Sequence, residues 1–389
     1  MTFKEIKCKY GFIGDNLDLK ENISLKITDE GKISEIYYDN PRDFIDLSKN
    51  SKIFLMIPGL INSHIHIVDA FAKEKGFNKN LFEIVAPPDG LKHTLLKTTS
   101  SEIKSYGIKK AVLEMFSNGI TSFMDFRESG IEGINLLKIA LQNFSINYLI
   151  FGRFMDDLEI PIVFEKADGI GLSSYRDLSI KTKEQLRLYK KNFNKPIACH
   201  DAEAKRDEKI FNEIISDDLI DIIIHGTQYL KEDLQLIKNK KVSLVLCPRS
   251  NGYFGLGFPP IIEILKLKIP ISLGTDNLMV NNTDLFEEIR YLYRFARILG
   301  RKNEDIELDG KILLKMITIN AARNFNIDQN IGSIKKGKNA DLCMIDLSDS
   351  NFFSYKIDSN EIFALISQRT KSENIKKVYI KGELVFERN

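Results

Sequence analysis

The chain has 389 residues, of which 43% are hydrophobic and 28% charged, so it is long enough for one large domain and a smaller one. Its 56 basic and 54 acidic residues nearly cancel to a formal charge of +2, which argues against nucleic acid or a membrane surface as the main partner. The sequence contains no apolar run of membrane-spanning length and no apolar signal core at the N-terminus. Four cysteines stand far apart without a C-x-x-C pair, and we therefore expect a reduced, cytoplasmic protein.

The first 56 residues predict short strands separated by turns. Residues 21–28 and 32–38 alternate between apolar and polar around Asp29-Glu30-Gly31, which predicts a β-hairpin. After residue 56 the pattern changes to apolar strands that alternate with helices. Most of these strands are β-branched or continuously apolar, as buried parallel strands are, and they lie at residues 57–66, 120–127, 146–154, 169–173, 196–200, 221–225, 242–248 and 269–276.

Eight β/α units in succession predict a (β/α)8 TIM barrel over residues 57–329. Strand patterns return in the C-terminal part, and we therefore expect residues 1–56 and 330–389 to form one small β-sandwich domain beside the barrel. The connection over residues 68–99 is longer than most βα loops. It is a candidate lid or substrate pocket, and a purely stabilising insertion is the alternative.

The first predicted barrel strand ends in an H-x-H pair, His64 and His66. Residues i and i+2 of a strand point to the same side, so these two imidazoles can be directed at one point. Paired imidazoles are typical ligands of a transition metal. Two polar residues on a half-exposed strand are the alternative interpretation.

Three further predicted strands end in residues that often bind metals or act in catalysis. The fifth strand ends in His200, which Glu203 follows three residues later, the sixth ends in His225 and the eighth in Asp276. A single residue of this kind is usually no more than a hydrogen-bonded polar group. The carboxyl ends of all barrel strands meet at one face, so four such strand ends, counting the H-x-H pair, predict a single metal site there.

These motifs resemble the amidohydrolase superfamily and, within it, the group of cytosine deaminase, guanine deaminase and the chlorohydrolases. The resemblance covers essentially the whole chain and rests on residues 58–66, His200-x-x-Glu203, His225, the Cys-Pro-x-Ser-Asn motif at 247–251, Gly274-Thr275-Asp276 and the Gly-Ser-Ile and Ala-Asp-Leu motifs at 332–334 and 340–342. It implies one divalent metal ion per chain, zinc in preference to iron, with the ligands His64, His66, His200 and Asp276.

A related subtype binds two metal ions, which are bridged by a carboxylated lysine at the end of the fourth strand. The fourth predicted strand here, residues 169–173, ends in serine and has no lysine at its end. This difference favours the single-metal type.

The resemblance also implies hydrolysis of a carbon–nitrogen bond other than a peptide bond, in which a metal-activated water attacks a trigonal carbon. Asp276 would take the proton of the water and return it to the departing amine, and His225 would orient the attacking oxygen. Glu203 would transfer a proton to a ring nitrogen, which favours deamination of an N-heterocycle. A cyclic amidase or chlorohydrolase with the same site is the alternative, and a non-catalytic scaffold with this fold is the alternative from another class.

Four further residues are candidates for binding the substrate. Arg127, at the end of the second strand, would bind an anionic group, with a structural salt bridge as the alternative. Arg249 and Asn251 belong to the 247–251 motif, and His93 lies in the 68–99 connection. The expected substrate is a small heterocyclic molecule, and its identity and a homo-oligomeric state stay open.

Overall fold

The computed structural model describes residues 4–41, 44–45, 47, 52–86, 89–300, 308–354 and 356–388. Within these residues the chain forms two sheets, one of nine strands and one of seven. No helix in the described part of the chain is long and apolar enough to cross a membrane.

The order of the elements shows strands alternating with helices through the middle of the chain. The strands are β1 (Lys4–Ile13), β2 (Asp18–Ile27), β3 (Ile33–Asp39), β4 (Phe54–Pro58), β5 (Leu60–His66), β6 (Ile120–Arg127), β7 (Asn147–Gly152), β8 (Gly169–Leu172), β9 (Ile197–Asp201), β10 (Ile222–His225), β11 (Ser243–Leu246), β12 (Ile271–Leu273), β13 (Asp276–Asn277), β14 (Leu342–Asp346), β15 (Ile375–Ile380) and β16 (Glu383–Glu387). The helices are α1 (Leu81–Val85), α2 (Leu91–Thr98), α3 (Ser101–Ser117), α4 (Gly130–Leu141), α5 (Ile160–Lys166), α6 (Ile180–Phe193), α7 (Glu208–Asp217), α8 (Lys231–Lys240), α9 (Pro248–Tyr253), α10 (Ile261–Lys266), α11 (Leu285–Leu299), α12 (Gly310–Met316), α13 (Ile319–Asn324) and α14 (Glu361–Arg369). Short 3-10 helices lie at Ile67–Ala72, Ser350–Phe352 and Ser372–Asn374.

The nine-stranded sheet forms the barrel. Strands β5 to β12 pair in chain order, and every pairing in the sheet is parallel. β13 follows β12 after two residues and pairs with β5, so these two short strands share the eighth position and close the ring. Every residue of β5 and β6 is buried, because helices cover the outside and packed side chains fill the inside. The predicted (β/α)8 barrel is therefore confirmed.

The two ends of the chain meet in the seven-stranded sheet, whose order is β16-β15-β14-β4-β1-β2-β3. β14 from the C-terminal part pairs antiparallel with β4 from the N-terminal part, with Leu342 opposite Pro58. The predicted hairpin is present as β2 and β3, and Gly31 in its turn has a φ of +78°. The expectation of a small β domain built from both chain ends is confirmed.

The predicted first barrel strand, residues 57–66, is divided between the two sheets at Gly59. β4 pairs with β1 and β14 of the smaller sheet, whereas β5 pairs with β6 and β13 of the barrel. A Cβ atom at Gly59 would lie 2.2 Å from Oγ1 of Thr121, so the close packing at this junction requires glycine. The sequence shows one apolar run here, and only the hydrogen-bond pairing assigns its halves to different sheets.

The long connection between β5 and α3, residues 67–100, is called the 67–100 segment below. It contains a 3-10 helix followed by α1 and α2, and α1 begins with a capping box formed by Asn80 and Glu83. The 3-10 helix packs closely on α3, since a Cβ atom at Gly107 would lie 2.8 Å from the backbone nitrogen of Phe71. The segment starts at the carboxyl end of β5 and therefore lies at the face where the predicted site residues meet.

Candidate active site

Four barrel strands bring histidine or aspartate to the same face. His64 and His66 lie on β5, His200 on β9, His225 on β10 and Asp276 on β13. The ligand atoms of His64, His66 and His200 lie within 4.8 Å of one another, and so do those of His64, His225 and Asp276. The structure thus brings every metal ligand implied by the resemblance, together with His225, into two adjacent groups that share His64.

Two of these residues have backbone conformations that are uncommon for residues with a side chain. The φ angles of His225 and Asp276 are +76° and +60°, in the left-handed region. Such conformations cost about 1–3 kcal/mol each and persist where the surrounding structure fixes them, often at active sites. The fold therefore holds these two side chains in place at an energetic cost.

Hydrogen bonds at the outer ring nitrogens orient two of the imidazoles. Nδ1 of His66 lies 3.0 Å from the carbonyl oxygen of Phe126, and Nδ1 of His200 lies 2.8 Å from that of Leu172. A carbonyl oxygen can only accept a hydrogen bond, so both Nδ1 atoms carry the proton and both Nε2 atoms present a lone pair to the centre.

The same centre receives Nε2 of His64, which lies 3.3 Å from Nε2 of His200 and 3.2 Å from Oδ1 of Asp276. Burial lowers the pKa of His64 to about 3 and that of His200 well below its ordinary value, so both are neutral near pH 7. Burial alone would raise the pKa of Asp276, but the hydrogen bond to His64 and the nearby imidazoles hold it well below its usual range. Neutral imidazoles and an ionised carboxylate that converge in this way fit a divalent metal ion.

Glu203 lies beside this centre but outside both groups of clustered ligand atoms. Its Oε1 atom is 3.7 Å from Nε2 of His225, and burial raises its pKa above the ordinary value, with the charge of Asp276 adding to the effect. A carboxyl group that can hold a proton next to a cluster of metal-ligand type is suited to acid–base chemistry.

Two residues of the 247–251 motif form hydrogen bonds to members of the ligand cluster. Asn251 accepts a hydrogen bond from Nδ1 of His225 at 3.1 Å and also contacts Thr227. Ser250 donates to Oδ2 of Asp276 at 2.5 Å. The structure therefore makes Asn251 an orienting partner of His225, and it does not line the cavity described next.

A cavity of about 260 Å³ opens beside the cluster, and it is bounded on one side by the 67–100 segment. The segment contributes the apolar side chains Leu81, Phe82, Val85 and Ala86 together with Lys92 and His93. The predicted contact of His93 with this space is thus geometrically available, and its Nε2 atom lies 3.1 Å from the carbonyl oxygen of Val85.

The two arginines predicted to bind substrate do not line this cavity. Arg127 is buried, and its guanidinium pairs with Asp125 at 3.3 Å and with Glu128 at 2.5 Å. Arg249 pairs with Glu288 at 2.7 Å and also donates to Asn282. Both arginines therefore form structural salt bridges, the alternative considered for Arg127, because neighbouring acids pair with their charges and neither side chain reaches the cavity.

Three charged residues that the sequence analysis did not select do line the cavity, namely Lys92, Glu128 and Arg153. Arg153 directly follows β7, so the rule that selected Arg127, an arginine at the end of an apolar strand, would also have found it. Its Nε atom is buried without a hydrogen-bond partner, and its guanidinium forms no ion pair with a described residue. Lys92 has no comparable signal, because α2 lies outside the regular β/α alternation.

The chain is similar in sequence and in fold to known hydrolases and deaminases. The sequence model described as the amidohydrolase family matches residues 55–206 and 183–385. A putative aminohydrolase of Methanothermobacter thermautotrophicus is 30% identical over 95% of this chain and 94% of its own length. A 5-methylthioadenosine/S-adenosylhomocysteine deaminase of Thermoanaerobacter pseudethanolicus is 26% identical over 95% of this chain and 90% of its own length. The solved structure of a zinc-bound adenosine deaminase from Xanthomonas campestris superposes with a TM-score of 0.79 at 17% identity, covering 98% of this chain and 92% of that one.

Proposed function

The chain belongs to the amidohydrolase family and is a metal-dependent hydrolase of carbon–nitrogen bonds other than peptide bonds, and we propose that it deaminates a ring carbon of an N-heterocycle. The observation that carries this proposal is Glu203, which lies 3.7 Å from His225 beside the ligand cluster without belonging to it. Plain hydrolysis of an amide does not require a second carboxyl group at this place, whereas attack on an aromatic ring requires protonation of a ring nitrogen.

In this proposal His64, His66, His200 and Asp276 hold one divalent ion. Zinc is preferred to iron, and the zinc-bound structural neighbour supports that preference. The bound ion would supply a water molecule that is activated for attack on a trigonal carbon.

The residues of the chain then divide the proton transfers between them. Asp276, whose pKa is held low, takes a proton from the attacking water and delivers it to the departing amine. His225, held by Asn251, orients the attacking oxygen. Glu203, whose pKa is raised by burial, donates a proton to the ring nitrogen next to the attacked carbon. Two carboxyl groups with opposite pKa shifts thus perform opposite transfers.

We assign the role of binding an anionic substrate group to Arg153 in place of Arg127. The nearby acids Asp69 and Glu128 are already paired with Lys92, and Glu128 also with Arg127, which leaves the guanidinium of Arg153 available in the cavity. An arginine that lines the cavity and has no ion-pair partner among the described residues can bind an anionic group of the ligand through charge-assisted hydrogen bonds.

The proposed substrate class combines an N-heterocyclic ring, which Glu203 would protonate, with an anionic group, which Arg153 would bind. A relative named for 5-methylthioadenosine and S-adenosylhomocysteine supports a 6-aminopurine ring as the first class to test. Because one arginine serves a carboxylate and a phosphate equally well, both kinds of anionic adenosine derivative belong in the test.

The test is ammonia release by the zinc-loaded protein from adenosine, 5-methylthioadenosine, S-adenosylhomocysteine, adenosine 5′-monophosphate, guanine, cytosine, a pterin and an aminotriazine. We expect ammonia from at least one of these, with the anionic purines ahead of adenosine. Chloride release from a chlorotriazine or ring opening of a cyclic amide, without ammonia from any amine of the panel, would overturn the deaminase assignment.

A further inference from the structure

The histidines of the cluster differ in what their outer ring nitrogens contact. Nδ1 of His200 faces a backbone carbonyl, and Nδ1 of His225 faces the side-chain amide of Asn251. Nδ1 of His66 faces a backbone carbonyl and also a carboxylate, because Oε1 of Glu128 lies 2.7 Å away. Among the described residues, His66 is thus the cluster histidine whose outer nitrogen has a charged acceptor.

Glu128 does not swing freely, because two buried cations hold its carboxylate. Oε1 lies 2.5 Å from Nζ of Lys92, and Oε2 lies 2.5 Å from Nη2 of Arg127. The side chains of Glu128, Lys92 and Arg127 are 5%, 4% and 1% exposed, so water does not screen these contacts. The orientation of the carboxylate toward His66 is therefore set by its cationic neighbours.

Lys92 comes from the 67–100 segment and not from the barrel strands. It lies on α2, and its Nζ atom also contacts Oδ2 of Asp69, in the 3-10 helix of the same segment, at 2.8 Å. One ammonium group therefore links α2 and the 3-10 helix to Glu128, the residue that follows β6. The ion pair between Lys92 and Glu128 consequently connects the segment that bounds the cavity with the carboxylate that contacts His66.

We propose that Glu128 is a positioning residue for His66 and that Lys92 holds Glu128 in place, so that the 67–100 segment sets the affinity of the ion site. A carboxylate acceptor fixes the ring and makes Nε2 a stronger donor, and outer partners of this kind typically contribute 10- to 100-fold in metal affinity. The inference rests on the proposed function only in requiring that this site binds a divalent ion.

Simple electrostatics predicts the opposite effect for Lys92. A buried ammonium near the site repels a cation, so its removal alone would tighten ion binding. If Lys92 acts by holding Glu128, its removal weakens binding instead. The sign of the change therefore separates a positioning role from a mere charge.

The first experiment measures the dissociation constant for Zn²⁺ in the absence of substrate, by competition with a chromogenic chelator. We expect Glu128→Gln to weaken zinc binding about 10- to 100-fold. The matched control is Asp341→Asn, which makes the same acid-to-amide change at a carboxyl that is 6% exposed and accepts from Asn147 near the start of β7, at the opposite end of the barrel. This control is expected to keep the zinc affinity of the parent.

The second experiment tests Lys92 with Lys92→Met, which removes the ammonium and keeps an unbranched side chain that is one atom shorter. We expect weaker zinc binding than in the parent, by a smaller factor than for Glu128→Gln, and the double variant should bind no more weakly than Glu128→Gln alone, because Lys92 acts through Glu128. Lys338→Met is the control for loss of a buried lysine, since Lys338 is 6% exposed and its Nζ lies 3.4 Å from Asp15 in a different part of the chain. It should lower the Tm without changing the zinc affinity.

Three results would overturn the inference: unchanged zinc affinity in Glu128→Gln, tighter or unchanged binding in Lys92→Met, or independent and additive losses in the double variant. A parent protein without measurable zinc affinity would overturn both this inference and the proposed function. A parent that binds zinc but releases no ammonia would count against the proposed function alone, since these affinities are measured without substrate.

Discussion

The two ends of the barrel differ in whether their buried polar groups have hydrogen-bond partners. At the amino end, Asp341 accepts hydrogen bonds from the side chain of Asn147 and the backbone of Lys381, both at 2.7 Å, and Asn324 donates to Ser272 at 3.0 Å. At the carboxyl end, Nδ2 of Asn277 and Nε of Arg153, which belong to two residues that line the cavity, are buried without partners in the described structure. Folding alone favours satisfied groups, so the unsatisfied groups indicate the end where a ligand completes the contacts.

The largest effect that this contrast predicts is loss of the ion. His66→Ala removes a converging Nε2 donor, and we expect loss of bound zinc and of all activity, as on treatment of the parent with a strong chelator. Elemental analysis of the purified variant checks this. His93→Ala is the matched histidine control, since His93 lines the cavity outside the clusters and its loss should leave zinc bound. Full zinc occupancy in His66→Ala would contradict the assigned ligand set.

The next effect concerns turnover without loss of the ion. Glu203→Gln keeps the size of the side chain but cannot transfer a proton, so kcat should fall by about 10²- to 10⁴-fold. Zinc content should stay that of the parent, and the loss should appear in kcat more than in KM. If the variant loses its zinc, Glu203 is a ligand and the proposed division of roles fails.

A smaller effect is expected from the unpartnered cation of the cavity. Arg153→Gln removes the charge that would face an anionic group, and a charge-assisted hydrogen bond contributes about 1.5–3 kcal/mol. KM for S-adenosylhomocysteine or adenosine 5′-monophosphate should therefore rise roughly 10- to 100-fold, with adenosine as the neutral internal control. Equal changes for the neutral and the anionic substrates would assign Arg153 a structural role.

The smallest effect on activity is expected at the opposite end of the barrel, where a carboxyl controls stability. Burial raises the pKa of Asp341 to about 6 from 3.8, so the folded state holds its proton more tightly than the unfolded state. Stability is then greatest below pH 4 as far as this group is concerned and falls by roughly 3 kcal/mol as the pH rises from about 4 to 6. Denaturant unfolding of the parent and of Asp341→Asn across this range should show the decline in the parent alone, with activity at pH 7 similar in both.

The sequence predicted the cluster well because its geometry follows from short-range rules. The two-residue period of a strand pairs His64 with His66, and the parallel arrangement brings His200, His225 and Asp276 to the same face. Both rules depend on residues that the sequence places at strand ends, and no long-range contact needs to be known.

The support of the cluster was not predictable in the same way. Arg127 and Arg153 both follow apolar strands, and the difference between them lies in their partners. Asp125 stands two residues before Arg127 on the same side of β6, which is a local hint of a salt bridge. The contact of Lys92 with Glu128 joins residues 36 positions apart through an irregular segment, and periodicity carries no information about it.

The junction at Gly59 affects the orientation of β5, the strand that carries His64 and His66. One residue separates β4 of the smaller sheet from β5, and its backbone nitrogen donates to the carbonyl oxygen of Asp341 at 2.8 Å. The angle between the sheet and the strand that bears the H-x-H pair therefore depends on two backbone dihedrals. A single residue inserted after Gly59 would shift β5 by half a pleat and turn His64 and His66 toward the helices. The smaller sheet thus fixes the register of β5, and with it the inward orientation of both imidazoles.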